Sequence, residues 1–193
     1  MENDVMDNEK KCSLCGEPLS RYGNKKIMDG VLCRNCIKPA SPWLSDEAYL
    51  KLSLEDFKGH LAYREENKKE LEEFKDSKKV EGKYVLYLDE EGRKFALSKR
   101  KDYKKDNADV FTFDQIKEIS IYEEKYGDTE DLDVFFDMKL DNKQIDDVLF
   151  RVNEFPGLIR DSEEHKNAVD LALGYLEAFE EEEGIDFEQV EGE

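Results

Sequence analysis

The residues best suited to chemistry are four cysteines, arranged as Cys12-Ser13-Leu14-Cys15 and Cys33-Arg34-Asn35-Cys36, with Gly16 through Leu32 between the pairs. Each Cys-x-x-Cys turns tightly enough to present two sulfurs, and an intervening loop of this length folds back to close a tetrahedron around a metal ion. The spacing predicts one structural Zn²⁺ held by Cys12, Cys15, Cys33 and Cys36, with iron or disulfides as the alternatives. Four thiolates leave no coordination position for water or substrate, so the expected role of the metal is to cross-link the chain rather than to catalyse. Gly16 suits the backbone turn that aims amide groups at the sulfurs, whereas the second pair is followed by Ile37. Asp29-Gly30 reads as a hairpin turn that delivers the second pair on the end of a strand.

The elements that must position these thiols are short of apolar mass. Between Lys11 and Lys38 the chain offers only Leu14, Leu19, Tyr22, Ile27, Met28, Val31, Leu32 and Ile37. Units below about 40 residues seldom hold together without a staple, and bound zinc adds on the order of 10 kcal/mol to the folding of such units. A zinc ribbon over residues 11–45 follows, preceded by a flexible N-terminus over 1–10. Within Lys10–Pro39 the basic side chains outnumber Glu17 and Asp29, so Lys25, Lys26 and Arg34 are candidate ribbon contacts for nucleic acid.

Composition bounds the rest. With 38% hydrophobic, 41% charged and 11% aromatic residues, the 193-residue chain is very polar yet has enough bulky groups to fill a modest second core. The net charge of −19 is concentrated late: from Asp106 onward 28 acidic side chains face 7 basic ones. Such a field repels phosphate backbones and anionic lipid, which disfavours nucleic acid and membranes as partners of the body of the protein. No run approaches the roughly 18 apolar residues of a membrane span, and Met1, Glu2, Asp4 and Asp7 do not open a signal peptide. With all four cysteines assigned to the ribbon, a soluble protein of a reducing cytoplasm is expected.

After the ribbon, Pro39 and Pro42 break the chain and Trp43 reads as a packing lid. A spacer helix is expected within 46–79, opened by a Ser53/Asp56 capping box, with a wet middle from Arg64 to Glu70. His60 lacks a partner at ligand spacing and reads as a surface or half-buried packing residue. From Val80 the period shortens to that of strands: Lys83–Leu88 and Arg93–Leu97 form a hairpin, and Val110–Phe113, Ile116–Tyr122, Leu132–Leu140 and Ile145–Val152 follow. Asp161 with Glu164 reads as a capping box for a helix from Ser162 to about Glu181, with an apolar stripe of Val169, Ala172, Leu173, Leu176 and Phe179 and a solvated His165. A β domain over 80–184 and an acidic tail over 185–193 complete the expected organisation.

No Gly-rich phosphate loop, nucleophile elbow, His-Glu-x-x-His or calcium loop is present, and acidic pairs such as Asp146-Asp147 read as solvated turns. One basic run, Lys99-Arg100-Lys101 with Lys104 and Lys105 around Tyr103, is a candidate ligand or partner patch.

Two resemblances add to this reading. Cys-Ser-Leu-Cys-Gly-Glu, Lys-Lys-Ile-Met-Asp-Gly-Val-Leu-Cys-Arg-Asn-Cys, Ser-Pro-Trp-Leu-Ser-Asp and Leu61-Ala62-Tyr63-Arg64-Glu65-Glu66-Asn67-Lys68 resemble a bacterial family with an N-terminal four-cysteine domain of unknown function. That resemblance implies a zinc ribbon and no particular activity. Residues 110–119, Val-Phe-Thr-Phe-Asp-Gln-Ile-Lys-Glu-Ile, with the helix from Ser162, are similar to bacterial pleckstrin-homology-like or GRAM-like domains, which implies a β-barrel closed by a C-terminal helix. The expected fold class is therefore α+β: a small ribbon, a spacer helix, then an antiparallel sheet or partly open barrel closed by a helix. The expected function is that of a non-enzymatic, zinc-containing interaction protein that binds mainly another protein. A nucleic-acid-binding ribbon and a peripheral lipid-headgroup module are the alternatives.

Overall fold

The computed structural model describes residues 11–99 and 101–180, together with the backbone of 186–189. The chain divides into two units, Met1–Glu66 and Asn67–Glu193.

In the first unit, strands β1 (Lys25–Ile27) and β2 (Gly30–Leu32) pair antiparallel, and the helical turn α1 (Arg34–Ile37) and helix α2 (Asp46–Lys51) follow. Helix α3 (Leu54–Glu73) begins here and continues past Glu66. The stretch 46–79 thus holds two helices rather than one, because Leu52 turns to extended backbone at φ −80°, ψ 133°. The Ser53/Asp56 capping box is present: Asp56 N donates to Ser53 Oγ at 3.1 Å and Ser53 N to Asp56 Oδ2 at 3.0 Å. The hairpin supplies a further cap, since Leu54 N donates to Asp29 Oδ1 at 2.8 Å.

Ile27, Leu32, Tyr49 and Phe57 bury together with Cys12 and Cys33. Tyr49, Phe57, Leu44, Leu52 and Leu61 all come from beyond Lys38, so this core is larger than the apolar content of 11–38 suggests. His60 is fully buried rather than superficial: Ser41 N donates to its Nε2 at 3.1 Å, and its ring lies 6.4 Å from Phe57 and 5.7 Å from Tyr63. Arg64 is buried as well, and its Nε donates to Pro39 O at 3.2 Å. Trp43 is half-buried, and its backbone N donates to Ser41 Oγ at 3.1 Å.

The second unit is built on two sheets. The first is an antiparallel meander of β3 (Lys78–Glu81), β4 (Val85–Asp89), β5 (Lys94–Ser98) and β6 (Val110–Thr112), with the short helix α4 (Tyr103–Asp106) between β5 and β6. The second runs through β7 (Ile116–Lys125), β8 (Leu132–Leu140) and β9 (Asp147–Arg151), all antiparallel, and β10 (Asp186–Gln189) adds to the β7 edge in parallel. Residues 186–189, expected within an acidic tail, are therefore a paired strand. Their backbone satisfies amides and carbonyls that an edge strand leaves open. The rest of the expected tail, and residues 1–10, lie outside the described residues.

Both sheets are open, and the described residues form no closed barrel. Alternation in β8 buries Val134, Phe136, Met138 and Leu140 as its pattern predicts. Helix α5 (Glu163–Glu177) packs on β7 and β8. Its aromatic residues reach both sheets: Tyr175 meets Phe136 and Phe150 at 5.6 Å each and donates its hydroxyl to Tyr84 O, while Phe179, just past the helix, meets Phe95 at 5.2 Å and Phe113 at 5.8 Å. Tyr175 and Ala168 are buried where the expected stripe had Val169 and Leu173, a rotation of the buried face set by these ring contacts. The helix is capped by Ser162, whose Oγ accepts from His165 N at 3.1 Å, not by Asp161. His165 is buried rather than solvated; its Nδ1 accepts from Asp161 N at 3.3 Å, which leaves Nε2–H to donate to Glu123 Oε1 at 2.8 Å.

The expected wet middle of α3 is also partly buried. Asn67 Nδ2 donates to Ala108 O at 2.7 Å, and Val110 N donates to Asn67 Oδ1 at 2.8 Å, so one amide satisfies two backbone groups at the start of β6. Leu71 and Phe74 then pack with Val85, Tyr87, Ala96 and Tyr103.

A buried carboxylate organises the segment after β9. Asp133 Oδ1 accepts from Asn153 Nδ2 and from Gly157 N at 2.8 Å each, and Oδ2 accepts from Arg151 Nη1 at 3.2 Å. Burial pushes its pKa up, but the Asn153 amide, the Gly157 N–H and the Arg151 guanidinium outweigh burial and hold it below its ordinary value. A group depressed in the folded state stabilises above its unfolded pKa of about 3.9, and the contribution is lost as pH falls toward the folded value. Asp133→Asn should therefore cost about 1–3 kcal/mol at neutral pH and progressively less below about pH 4, as read by urea unfolding of the full chain at several pH values.

Candidate metal centre

The first Cys-x-x-Cys is shaped by backbone bonds that close around it. Gly16 N donates to Cys12 O at 2.9 Å and Cys12 N to Glu17 O at 2.8 Å, with Gly16 at φ +76°, a conformation that favours a residue without Cβ. The second pair lacks a glycine and is instead wound into a helical turn: Cys36 N and Ile37 N both donate to Cys33 O, at 3.0 and 3.2 Å. The absence of a glycine after Cys36 is thus met by helical geometry.

The β1–β2 hairpin brings the two pairs together. Its register pairs Ile27 with Gly30, so Met28-Asp29 form the loop, one residue earlier than the expected Asp29-Gly30, and Gly30 already belongs to β2. Gly30 is required for a different reason: a Cβ there would overlap Ser13 Oγ and lie 2.8 Å from Ser13 Cβ. Ser13 in turn locks the first pair to β2, donating its N–H to Val31 O at 2.9 Å and accepting from Val31 N at 3.0 Å on Oγ.

The result is a cluster in which the sulfurs of Cys12, Cys15, Cys33 and Cys36 all lie within 4.8 Å of one another. Cys12 Sγ to Cys36 Sγ and Cys15 Sγ to Cys33 Sγ are each 3.7 Å. A disulfide needs about 2.05 Å, whereas the edge of a tetrahedron with metal–sulfur bonds of about 2.3 Å is about 3.8 Å. The donor set fits a tetrahedral metal ion, and the disulfide alternative does not describe these free cysteines. Electrostatics points the same way. Burial, then the neighbouring thiols of Cys15, Cys33 and Cys12, push the Cys36 thiol up, while for Cys12 burial is outweighed by the amides of Cys15, Cys33 and Leu14, which bring it down to about 6. Cys12 ionises readily while Cys36 resists, a conflict that a divalent cation relieves. Cys33 N also donates to Cys12 Sγ at 3.2 Å, an outer contact that orients the thiolate.

The other candidate residues are dispersed. Lys25 pairs with Asp46 and sits 5.7 Å from the Tyr49 ring, whereas Lys26 and Arg34 are exposed. The basic run does not act as one patch. Tyr103 inserts into the core and donates to Asp76 Oδ1 at 2.8 Å, Lys104 lies 5.8 Å over its ring, Lys105 pairs with Asp102 at 2.8 Å, and Lys101 pairs with Glu81 at 3.5 Å. Lys99 lines a cleft instead, and Arg100 lies outside the described residues. Asp147 is a half-buried strand residue, not a solvated turn, and shares Lys139 with Asp137. Sequence reasoning missed Asp133 and Asn153, whose only advance signal was an aspartate at a position of β8 that alternation does not settle.

A hairpin carrying two Cys-x-x-Cys turns around clustered thiols defines a four-cysteine metal-binding module. Residues 10–60 match the family model described as a domain of unknown function (DUF4428). No curated protein and no solved structure matches the chain. Among the described residues no helix is long and apolar enough to cross a membrane.

Gly30→Ala should destabilise the centre by about 1–3 kcal/mol through overlap with Ser13. Adding Ser13→Gly should return part of that loss, which a double-mutant cycle on thermal unfolding of the metal-loaded chain would resolve.

Proposed function

We propose that the four cysteines hold one structural Zn²⁺ and that the chain is a non-enzymatic, cytoplasmic interaction protein whose principal partner is another protein. The observation that carries this reading is the all-thiolate donor set at tetrahedral spacing, with Cys12–Cys36 and Cys15–Cys33 at 3.7 Å. Such a set suits zinc and leaves it no open position at which water could be activated. The metal's contribution on binding is cohesion: it ties the first turn, the hairpin and α1 into one piece. The residues do the rest, with Ser13 and Gly30 setting how closely the two pairs approach and Cys33 N–H orienting Cys12 Sγ.

The protein-partner reading is supported by the large apolar side chains that the first unit leaves exposed: Tyr22 at 72%, Met28 at 65% and Leu50 at 52%. The pleckstrin-homology-like reading of the second unit is supported by two successive antiparallel meanders followed by a helix that reaches both of them. The nucleic-acid reading loses Lys25 to its ion pair with Asp46 and keeps only Lys26 and Arg34 as open cations of the three.

The reduced, purified chain should contain one zinc per molecule, and Cys33→Ser should abolish stoichiometric retention and disorder residues 11–66, as followed by metal analysis and amide NMR. Cobalt substituted at the site should show four-sulfur ligation unaltered by added azide. An azide-responsive cobalt spectrum would reveal an open coordination position and overturn the structural reading. Met28→Glu with Leu50→Glu should weaken capture of the chain's partner without releasing zinc.

A further inference from the structure

The second unit contains a cleft of about 760 Å³ lined by residues from β3–β4, β5, the segment after β9 and α5. That volume lies within the range of about 300–1,000 Å³ usual for small-molecule sites. Gly82 leaves room at its base: a Cβ there would lie 2.7 Å from Leu171 Cδ2 and overlap the Tyr175 hydroxyl, so only hydrogen lets β3–β4 approach α5 this closely.

The wall formed by residues 152–158 is fixed in advance. Asn153 Nδ2 donates to Asp133 Oδ1 at 2.8 Å and to Phe155 O at 2.7 Å, Asn153 Oδ1 accepts from Val134 N at 2.9 Å, and Leu158 exchanges two backbone bonds of 2.8 Å with Leu132. This bracing has an unusual product. It holds Phe155 72% exposed on the cleft that Leu158 and Leu171 also line.

Several lysines elsewhere in the second unit are each held by a carboxylate. Lys79 and Lys101 share Glu81, Lys94 has Glu70, Lys105 has Asp102 and Lys125 has Glu130. Among the described residues, Lys83 has no carboxylate partner: its Nζ donates only to the Asn153 carbonyl, at 3.4 Å. Lys99, on the same cleft, forms no ion pair among the described residues either. Glu154 and Glu164 line the cleft as well, but neither closes a salt bridge to these lysines. Burial, then Arg151 and Lys99, pull the Lys83 ammonium below its ordinary pKa, and the carboxylates of Asp133 and Glu154 oppose this only in part.

We propose that this cleft binds an amphipathic anion, a carboxylate or phosphate group on an apolar body, with Lys83 and Lys99 meeting the anionic group and Phe155, Leu158 and Leu171 the body. An ammonium half-removed from water gains most from an anion that also brings apolar surface to cover the rim. The site is independent of the metal centre, and a soluble ligand and a lipid headgroup share the chemistry that would be recognised.

The test titrates the zinc-loaded full chain with octanoate, octyl phosphate and octanol by isothermal calorimetry, and with phosphatidylglycerol vesicles by flotation. Saturable binding of an octyl anion, weakened about tenfold or more in Lys83→Met and in Lys99→Met but within about twofold in Lys101→Met, is the expected result. Octanol should bind at least about tenfold more weakly than the anions. Flotation lost in Lys83→Met would identify a membrane lipid as the source of the anion, and its absence alongside octyl-anion binding would identify a soluble ligand. Circular dichroism of each variant separates lost binding from lost folding, and a retained-charge Lys83→Arg variant should bind even where Lys83→Met does not fold. The proposal is overturned if no octyl anion or vesicle binds, if octanol binds as well as the anions, or if both lysine-to-methionine variants bind like the parent.

Discussion

Four sulfur donors drawn within 4.8 Å of one another cannot all carry negative charge unless a cation stands among them, and the first unit is arranged around that constraint. Cys12 and Cys33 are buried in the same cluster as Ile27, Leu32, Tyr49 and Phe57, so the metal site and the apolar core are one structure viewed from two sides. A bound ion would fix the backbone from which the core side chains project, and the core fixes the distances at which the sulfurs meet. The hairpin links the two: its tip residue Asp29 caps α3 while its last strand leads directly into Cys33.

The second unit is held together differently. Its cohesion comes from aromatic rings that α5 and the residue Phe179 insert toward both sheets, with Tyr175 on Phe136 and Phe150 and Phe179 on Phe95 and Phe113. Edge-on ring pairs of this kind combine large buried area with favourable quadrupole alignment. A chain that is 41% charged can afford a core because these rings concentrate apolar surface in few positions.

What could be read from the residues alone was what local spacing dictates. Each Cys-x-x-Cys turn, the Ser53/Asp56 capping box and the inward face of β8 depend on residues a few positions apart, and each is where its pattern places it. The features that could not be read depend on partners distant in sequence. His60 is buried because Ser41 offers it an N–H, Asn67 because Ala108 and Val110 need one amide to serve two groups, and His165 because Glu123 lies across from it on β7. Polar residues in those positions look solvated until the far partner is known. The basic run fails for the same reason: Tyr103 at its centre is an anchor of the core, which turns the surrounding lysines toward separate neighbours.

The parallel strand β10 sets a boundary condition on the whole second sheet. By lying along β7 it occupies a margin that would otherwise present an open ladder of donors and acceptors. Proteolytic removal of residues 186–189 would therefore do more than shorten the chain, because it would convert a sealed margin into a template for strand exchange between molecules and so raise the tendency to self-associate.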